Sequence, residues 1–270
     1  MRDTLSPDTR AHLIRTAQAL ADAARPETLR HFRTGIASDD KGPGPGGRFD
    51  PVTEADRAAE RAMRAVLARE RPQDGILGEE YGTLDGTSGL TWVLDPIDGT
   101  RGYISGTPTW GVLVAVSDAE GPLYGIIDQP YIGERFFGGL GEASVTGPLG
   151  TARLRTAPAR PLAGATILTT FPEIGTEEEH RAFRRVADQA RLVRYGMDCY
   201  GYALLAAGQV DLVIEAGLQP YDVQAPIAVV TAAGGIATGW DGRPAHGGGR
   251  LLAAANAEIH AAAMELLAGS

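Results

Sequence analysis

The spacing of apolar and polar residues divides the chain into two unlike halves. Ser6-Pro7 reads as an N-cap followed by a first-turn proline and opens a helix that runs to about Arg33. Leu13, Ala17, Leu20 and Ala24 recur at helical spacing and form its buried stripe. Residues 38–48 (SDDKGPGPGGR) are so rich in Gly and Pro that a mobile loop is expected there. Thr53 then caps a second helix to about Glu70, with Asp56 at capping-box spacing and Ala59, Met63, Val66 and Leu67 on the core side. Runs of β-branched and aromatic residues bounded by Gly, Pro or Asp predict strands at 75–78, 91–94, 110–117, 123–128 and 134–138.

The second half alternates instead. Strands are expected at 165–170, 191–195, 209–214, 235–240 and 250–254, and helices at 176–190, 198–207, 222–233 and 256–268. Pro226 suits a helix only near its first turn, so the third of these helices is expected to begin no earlier than about Asp222. The pattern is α/β overall: an α+β first half followed by a layered α/β second half. Gly, Pro and short polar residues concentrate near 140–160, which predicts an N-terminal subdomain over 1–150 and a C-terminal one over 151–270. A chain of 270 residues is about 1.8 times a domain of roughly 150 and can bury a large core.

Composition narrows the function. The chain carries 34 acidic against 25 basic residues, a net charge of −9, which argues against nucleic acid or an anionic membrane as partner. Cys199 is the only cysteine, so no intrachain disulfide can form and a reducing compartment is expected. The N-terminus lacks an apolar signal core and no apolar run approaches a membrane span, so the expectation is a cytoplasmic protein. His12, His31, His180, His246 and His260 are scattered, which leaves no local histidine zinc motif.

Carboxylates carry the candidate chemistry. In WVLDPIDGT (92–100) an apolar strand runs into Asp95 and Asp98, with Pro96 fixing the turn between them. Two carboxylates so placed can converge on a hard divalent cation such as Mg2+, and the Ile97 carbonyl can add a third oxygen. Gly99 permits close backbone approach, and Thr100 offers a hydroxyl and an N–H to an anion. The same residues also suit a plain strand, turn and N-cap. Three other segments are ambiguous taken singly. GEE at 78–80 places Glu79 and Glu80 after a short apolar run. DPVTEAD at 50–56 ends on Asp56, which a helix start favours in any case. PYDV at 220–223 puts Asp222 at another helix start.

In this order, DPVTEAD, GEE, WVLDPIDGT and a distant Asp opening an Ala- and Gly-rich helix resemble the inositol monophosphatase family over about residues 5–265. The stretches 95–116, 124–138 and 194–223 are most similar to its histidinol-phosphate phosphatase branch. The resemblance implies a layered αβαβα sandwich of the inositol monophosphatase and fructose-1,6-bisphosphatase type, two or three Mg2+ ions, and a homodimer acting on a small phosphate ester. It implies Glu79, Asp95, the Ile97 carbonyl, Asp98 and Asp222 as metal ligands, and Asp56 as holder of a further, weaker metal. Glu79 with Thr100 relaying is implied as acceptor of a water proton, with Asp56 in the same catalytic group. Asp98, Gly99, Thr100, Gly196, Asp198, Glu215 and Asp222 are the implied substrate contacts. Asp198 and Glu215 suit the protonated amine of histidinol phosphate, although a helix cap and a strand-end surface charge are their plainer readings. Arg101 is open between substrate contact and surface. Tyr103, Trp110, Tyr200 and Tyr202 are assigned to core or interface rather than to stacking on an imidazole, though one of them could do both. An inositol- or sugar-phosphate monoesterase is the alternative.

Overall fold

The computed structural model describes residues 5–43 and 49–269. The first half holds α1 (Pro7–His31), a two-stranded hairpin of β1 (Ser38–Pro43) and β2 (Phe49–Thr53), and α2 (Glu54–Glu70). Next come β3 (Gly75–Gly78), β4 (Gly82–Leu84), β5 (Thr91–Asp98), the short α3 (Thr100–Ile104), β6 (Gly111–Asp118), β7 (Gly121–Gln129), β8 (Glu134–Gly139), β9 (Glu142–Gly147) and β10 (Gly150–Arg153). β3 to β10 form one sheet in the order β10-β9-β8-β7-β6-β5-β3-β4, antiparallel except where β3 runs parallel to β5. The second half holds β11 (Thr166–Thr169), α4 (Glu177–Ala187), β12 (Leu192–Tyr195), α5 (Asp198–Ala206), β13 (Leu212–Leu218), α6 (Pro220–Ala232), β14 (Ile236–Thr238), β15 (Gly249–Ala254) and α7 (Ala257–Ala268). Its five strands form a mixed sheet, β12-β11-β13-β15-β14.

Side-chain alternation along the strands builds the layers. On the large sheet Trp92, Leu94, Val112, Val114 and Val116 pack under α1 and α2, against Leu13, Leu20, Met63 and Leu67. Their neighbours Val93, Leu113, Ala115 and Ile127 point the other way, onto α5 and α6. The smaller sheet meets the same helices from its own side through Val213, Leu251 and Ala253, while Leu212, Ile214, Leu252 and Ala254 face α4 and α7. Strands buried on both faces read as nearly continuous apolar runs. The result is the expected αβαβα sandwich, with α5 and α6 as its central layer.

Three local readings change. The segment expected to be a mobile loop carries β1, which pairs with β2 through Ser38↔Thr53 and Asp39↔Val52; residues 44–48 lie outside the described residues. The hydrogen bonds of that strand come from a partner further along the chain, which local composition does not report. β4, β9 and β10 were not expected, because their exposed, polar or Gly-rich residues lack an apolar rhythm. α6 begins at Pro220 rather than Asp222: Pro220 takes the favourable first position and Pro226 is tolerated further inside.

Small residues set how close the central layer lies to the large sheet. A Cβ on Gly125 in β7 would sit 2.6 Å from the Ala225 carbonyl oxygen, and one on Gly138 in β8 would sit 2.7 Å from the Ala232 Cβ. Both contacts are to α6, so glycine there allows the helix that carries Asp222 to rest directly on the sheet. Gly125→Ala is therefore expected to cost roughly 1–3 kcal/mol of stability through overpacking. Urea denaturation measures this, and an unchanged midpoint would refute the close approach.

Candidate active site

The carboxylates meet where the central layer opens between the two sheets. β5 carries Asp95 and Asp98. Strict alternation would send residues three apart to opposite faces. The ladder with β6 shifts register between Asp95 and Asp98, and that irregularity lets both side chains turn to one side. The Ile97 N–H donates to Asp95 Oδ1 at 3.0 Å, which holds the turn closed. From α6, Asp222 completes the group; its Oδ2 accepts the Gln219 N–H at 2.7 Å, a helix-capping bond. Carboxylate oxygens of Asp95, Asp98 and Asp222 all lie within 4.8 Å of one another. Asp98 is steadied by the Cys199 N–H, 2.6 Å from its Oδ2, at the start of α5.

Glu79 enters from the end of β3. Its N–H donates to the Leu94 carbonyl at 3.1 Å, which seats it beside Asp95. Its Oε1 accepts the Lys41 ammonium at 2.9 Å, and the same ammonium bonds Glu80. Thr100 opens α3 after Gly99, whose φ of 86° lies in the left-handed region that glycine adopts freely. The Thr100 hydroxyl donates to the Ile97 carbonyl at 3.1 Å and lies 3.4 Å from Asp56 Oδ1. Asp56 is fully buried and engaged as a cap: its Oδ2 accepts the Thr53 N–H and hydroxyl at 2.8 and 2.6 Å. It stands behind Thr100 and does not line the cavity.

That cavity, of about 250 Å³, is lined by Glu79, Asp95, Ile97, Asp98, Gly99, Thr100, Asp222 and, on the far side from β5, by residues of the second half. Asp198 and Glu215 lie on that side. Asp198 has φ 45°, rare for a residue with a side chain, and accepts the Thr109 hydroxyl at 3.3 Å. A Cβ on Gly99 would lie 2.8 Å from its Cγ, so the glycine leaves room for it. Glu215 accepts the Thr169 hydroxyl (3.1 Å) and the N–H and hydroxyl of Thr170 (2.6 and 2.8 Å). Arg101 also lines the cavity, its guanidinium 5.4 Å from the Phe171 ring centre. Gly196 does not reach the wall; its N–H bonds the Thr169 and Thr170 carbonyls. Tyr103 and Trp110 sit in the core as expected, and Tyr202 is the one of the group that both joins the core and lines the cavity. Lys41 and Phe171 were not singled out from sequence. Lys41 lies in the Gly/Pro-rich stretch, where no local signal marks it.

Electrostatics show what the arrangement holds. Burial, and then the charges of Glu79, Asp98 and Asp222, raise the Asp95 carboxyl far above its ordinary range. Asp98 is raised likewise by burial and by Asp222 and Asp198. Burial pushes Glu79 up to about 7 although Lys41 pulls it down. It pushes Asp198 to about 6, and Glu215 to about 8 despite the three donors around it. Converging buried carboxylates repel one another and stay ionised only beside a cation. A set of hard oxygen donors with uncompensated charge fits a divalent ion of the Mg2+ kind, and the Lys41 ammonium already stands as a cation between Glu79 and Glu80.

Comparison with known proteins agrees with this geometry. The sequence profile of the inositol monophosphatase family matches residues 9–269. The chain is 38% identical over 260 residues to the chloroplastic bifunctional phosphatase IMPL2 of Arabidopsis thaliana, covering 92% of this chain and 73% of that one. It is 36% identical over 257 residues to a histidinol-phosphatase of Streptomyces coelicolor, covering 92% and 93%. The solved structure of an inositol monophosphatase from Zymomonas mobilis superposes with a TM-score of 0.83 at 37% identity, covering 94% and 96% of the two chains. No helix among the described residues is long and apolar enough to cross a membrane. The chain belongs to the inositol monophosphatase family of metal-dependent phosphoric monoester hydrolases.

Proposed function

We propose that this protein is a Mg2+-dependent histidinol-phosphate phosphatase that serves histidine biosynthesis. The observation that carries the reading is the pair Asp198 and Glu215. Both line the cavity beyond the carboxylates that a metal would use. A leaving group with an ammonium offsets negative charge there, whereas a neutral polyol leaves it standing. The similarity to a Streptomyces histidinol-phosphatase supports the same substrate. The alternative, an inositol- or sugar-phosphate monoesterase, draws support from the similarity to the Zymomonas inositol monophosphatase.

Asp95, Asp98, Asp222, Glu79 and the Ile97 carbonyl would hold two Mg2+ ions, with Asp56 behind Thr100 serving a weaker third. When bound, the ions supply charge that stabilises the attacking and leaving oxygens of an in-line displacement. The chain's own groups do the rest. Glu79, beside Asp95, accepts the proton of the attacking water, and the Thr100 hydroxyl orients that water. The water oxygen bonds to phosphorus, the ester P–O bond breaks, and the leaving alkoxide takes up the proton that Glu79 received, which returns Glu79 to its starting state. The N–H groups at Gly99 and Thr100 face the phosphate. Asp198 and Glu215 orient the leaving group by its ammonium.

Three outcomes test this reading. Asp95→Asn and Asp98→Asn should each lower kcat/KM roughly a thousandfold, about 4 kcal/mol of barrier. In EDTA the same variants should melt above the wild type, because a repelled buried charge is gone; a lower Tm would argue against that repulsion. The second outcome concerns pH. A carboxyl whose pKa is raised in the fold binds more protons folded than unfolded, so its contribution is complete below its ordinary value and is lost as pH rises through the raised one. With Asp198, Glu79 and Glu215 raised to about 6, 7 and 8, the Tm in EDTA should fall steadily from about pH 4 to 8, and Mg2+ should remove the part of that fall due to Glu79. A flat profile in EDTA would contradict the burial of these charges. Third, kcat/KM should be higher on histidinol phosphate than on myo-inositol 1-phosphate, and Asp198→Asn should lower the first about tenfold while sparing the second. Equal or reversed preference in the wild type would sink the histidinol reading.

A further inference from the structure

Glu79 stands in the short turn between β3 and β4, since Gly78 pairs with Gly82 across that hairpin. β4 is the exposed edge of the large sheet and only three residues long, so it gives the turn little support. The turn is braced instead by α2. Glu60, fully buried on that helix, accepts the Glu80 N–H on Oε2 at 2.7 Å and the Tyr81 N–H on Oε1 at 3.2 Å. Arg64, one helical turn on, donates Nε to Glu60 Oε1 at 2.7 Å and Nη2 to the Gly82 carbonyl at 2.5 Å. The fit is close: a Cβ on Gly78 would meet Glu60 Oε1 at 2.0 Å.

A buried ion pair is a costly way to stabilise a fold, because desolvation offsets most of its attraction. Here the pair does something that packed apolar side chains could not: it supplies acceptors to the two amides that directly follow Glu79 and a donor to the carbonyl after them. The Glu79 N–H is itself bonded to the Leu94 carbonyl at 3.1 Å. Three successive amides are therefore committed, and the Glu79 backbone has little freedom to swing its carboxylate away from Asp95. Glu60 is not among the residues that line the cavity, so any effect it has on the site passes through the turn. It lies four residues after Asp56, on the same face of α2, so one helix face carries both the carboxylate behind Thr100 and the brace under Glu79.

We infer that Glu60, held by Arg64, is a positioning residue that fixes the turn so that the Glu79 carboxylate is in place before a divalent ion arrives. This rests on the proposed role of Glu79 as a metal ligand. A site ordered in advance loses none of its binding free energy to ordering the turn. Removing a group that orients a metal ligand commonly weakens metal binding by roughly 10–100-fold, and that is the scale expected here.

Calorimetric titration with Mg2+, well below the melting range, reads this without turnover. Glu60→Gln keeps the shape but leaves one of the two turn amides without an acceptor, and should raise the Mg2+ Kd about tenfold. Glu79→Gln should raise it at least as much, and the double variant no further than Glu79→Gln alone, because Glu60 acts through Glu79. Asp74→Asn is the control. It removes another buried carboxylate, just before β3 and at its opposite end, where Asp74 accepts the Trp92 Nε1–H at 2.9 Å. It should lower the Tm yet leave the Kd within about twofold. An unchanged Kd in Glu60→Gln would overturn the inference, as would additive losses in the double variant or an equal loss in Asp74→Asn. If Glu60→Gln does not fold, Arg64→Gln takes its place with the same outcomes. If Glu79→Gln leaves the Kd unchanged, or the wild type binds no Mg2+, the metal reading of Glu79 alone fails. Amide hydrogen exchange over residues 79–82 in EDTA then decides: exchange faster by about tenfold in Glu60→Gln but not in Asp74→Asn supports the brace, and equal protection refutes it.

Discussion

Everything at the active site depends on negative charge crowded together where burial limits its hydration. Asp95, Asp98 and Asp222 bring carboxylate oxygens within 4.8 Å of one another, and Asp95 is 2% exposed. Such a cluster opposes folding by itself, because each charge loses hydration and gains like-charged neighbours. A structure that keeps it must either protonate it or supply a cation. The raised carboxyl pKa values express the first solution, and the Lys41 ammonium between Glu79 and Glu80 is a local instance of the second. A divalent ion resolves the conflict and at the same time turns an acidic site into a receptor for a phosphate.

The scaffold is built to impose that convergence. β5 is covered on one face by α1 and α2 and on the other by α5 and α6, so its end cannot relax outward. The register shift between Asp95 and Asp98 turns both side chains the same way. α6 lies against Gly125 and Gly138 with no room for a methyl group, and this fixes Asp222 opposite β5. The N-terminus of α5 meets Asp98 through the Cys199 N–H and pushes Asp198 into a left-handed backbone next to Gly99. A residue held in an unfavourable conformation on a cavity wall is typical of a site where position matters more than local stability.

Both halves of the chain contribute to the cavity. The large sheet and its loops supply Glu79, Asp95, Asp98 and Thr100 to the cavity. The second half supplies Asp198, Tyr202, Glu215 and Phe171 to the cavity wall. Asp222 belongs to the second half in sequence but to the carboxylate cluster of Asp95 and Asp98 in space. The core reflects the same arrangement, since one apolar cluster joins Val93 and Leu113 of the large sheet to Val213 and Leu251 of the small one.

Much of this was legible in the sequence. Apolar periodicity located α1, α2, α4, α5 and α7 and most buried strands, because burial on a defined face leaves a repeat of two or 3.6 residues. The spacing in WVLDPIDGT was enough to suspect a carboxylate pair, and the family resemblance carried by four acidic segments implied Asp222 with it. Other features left no local trace. β1, β9 and β10 are held by hydrogen bonds to partner strands and carry little apolar rhythm. Lys41 gained its role only when the hairpin placed it over Glu79, and Gly196, adjacent to the right segment, turned its N–H to the Thr169 and Thr170 carbonyls instead of the cavity. Tyr202 read as core or interface with a place at the site left open, and it is part of the core and of the cavity lining together. Sequence by itself determined which residues are apolar, which are charged and at what period, and hence the layers and the acid-rich motifs. Tertiary structure alone decided which charges share a cavity, because that depends on distances between segments about a hundred residues apart.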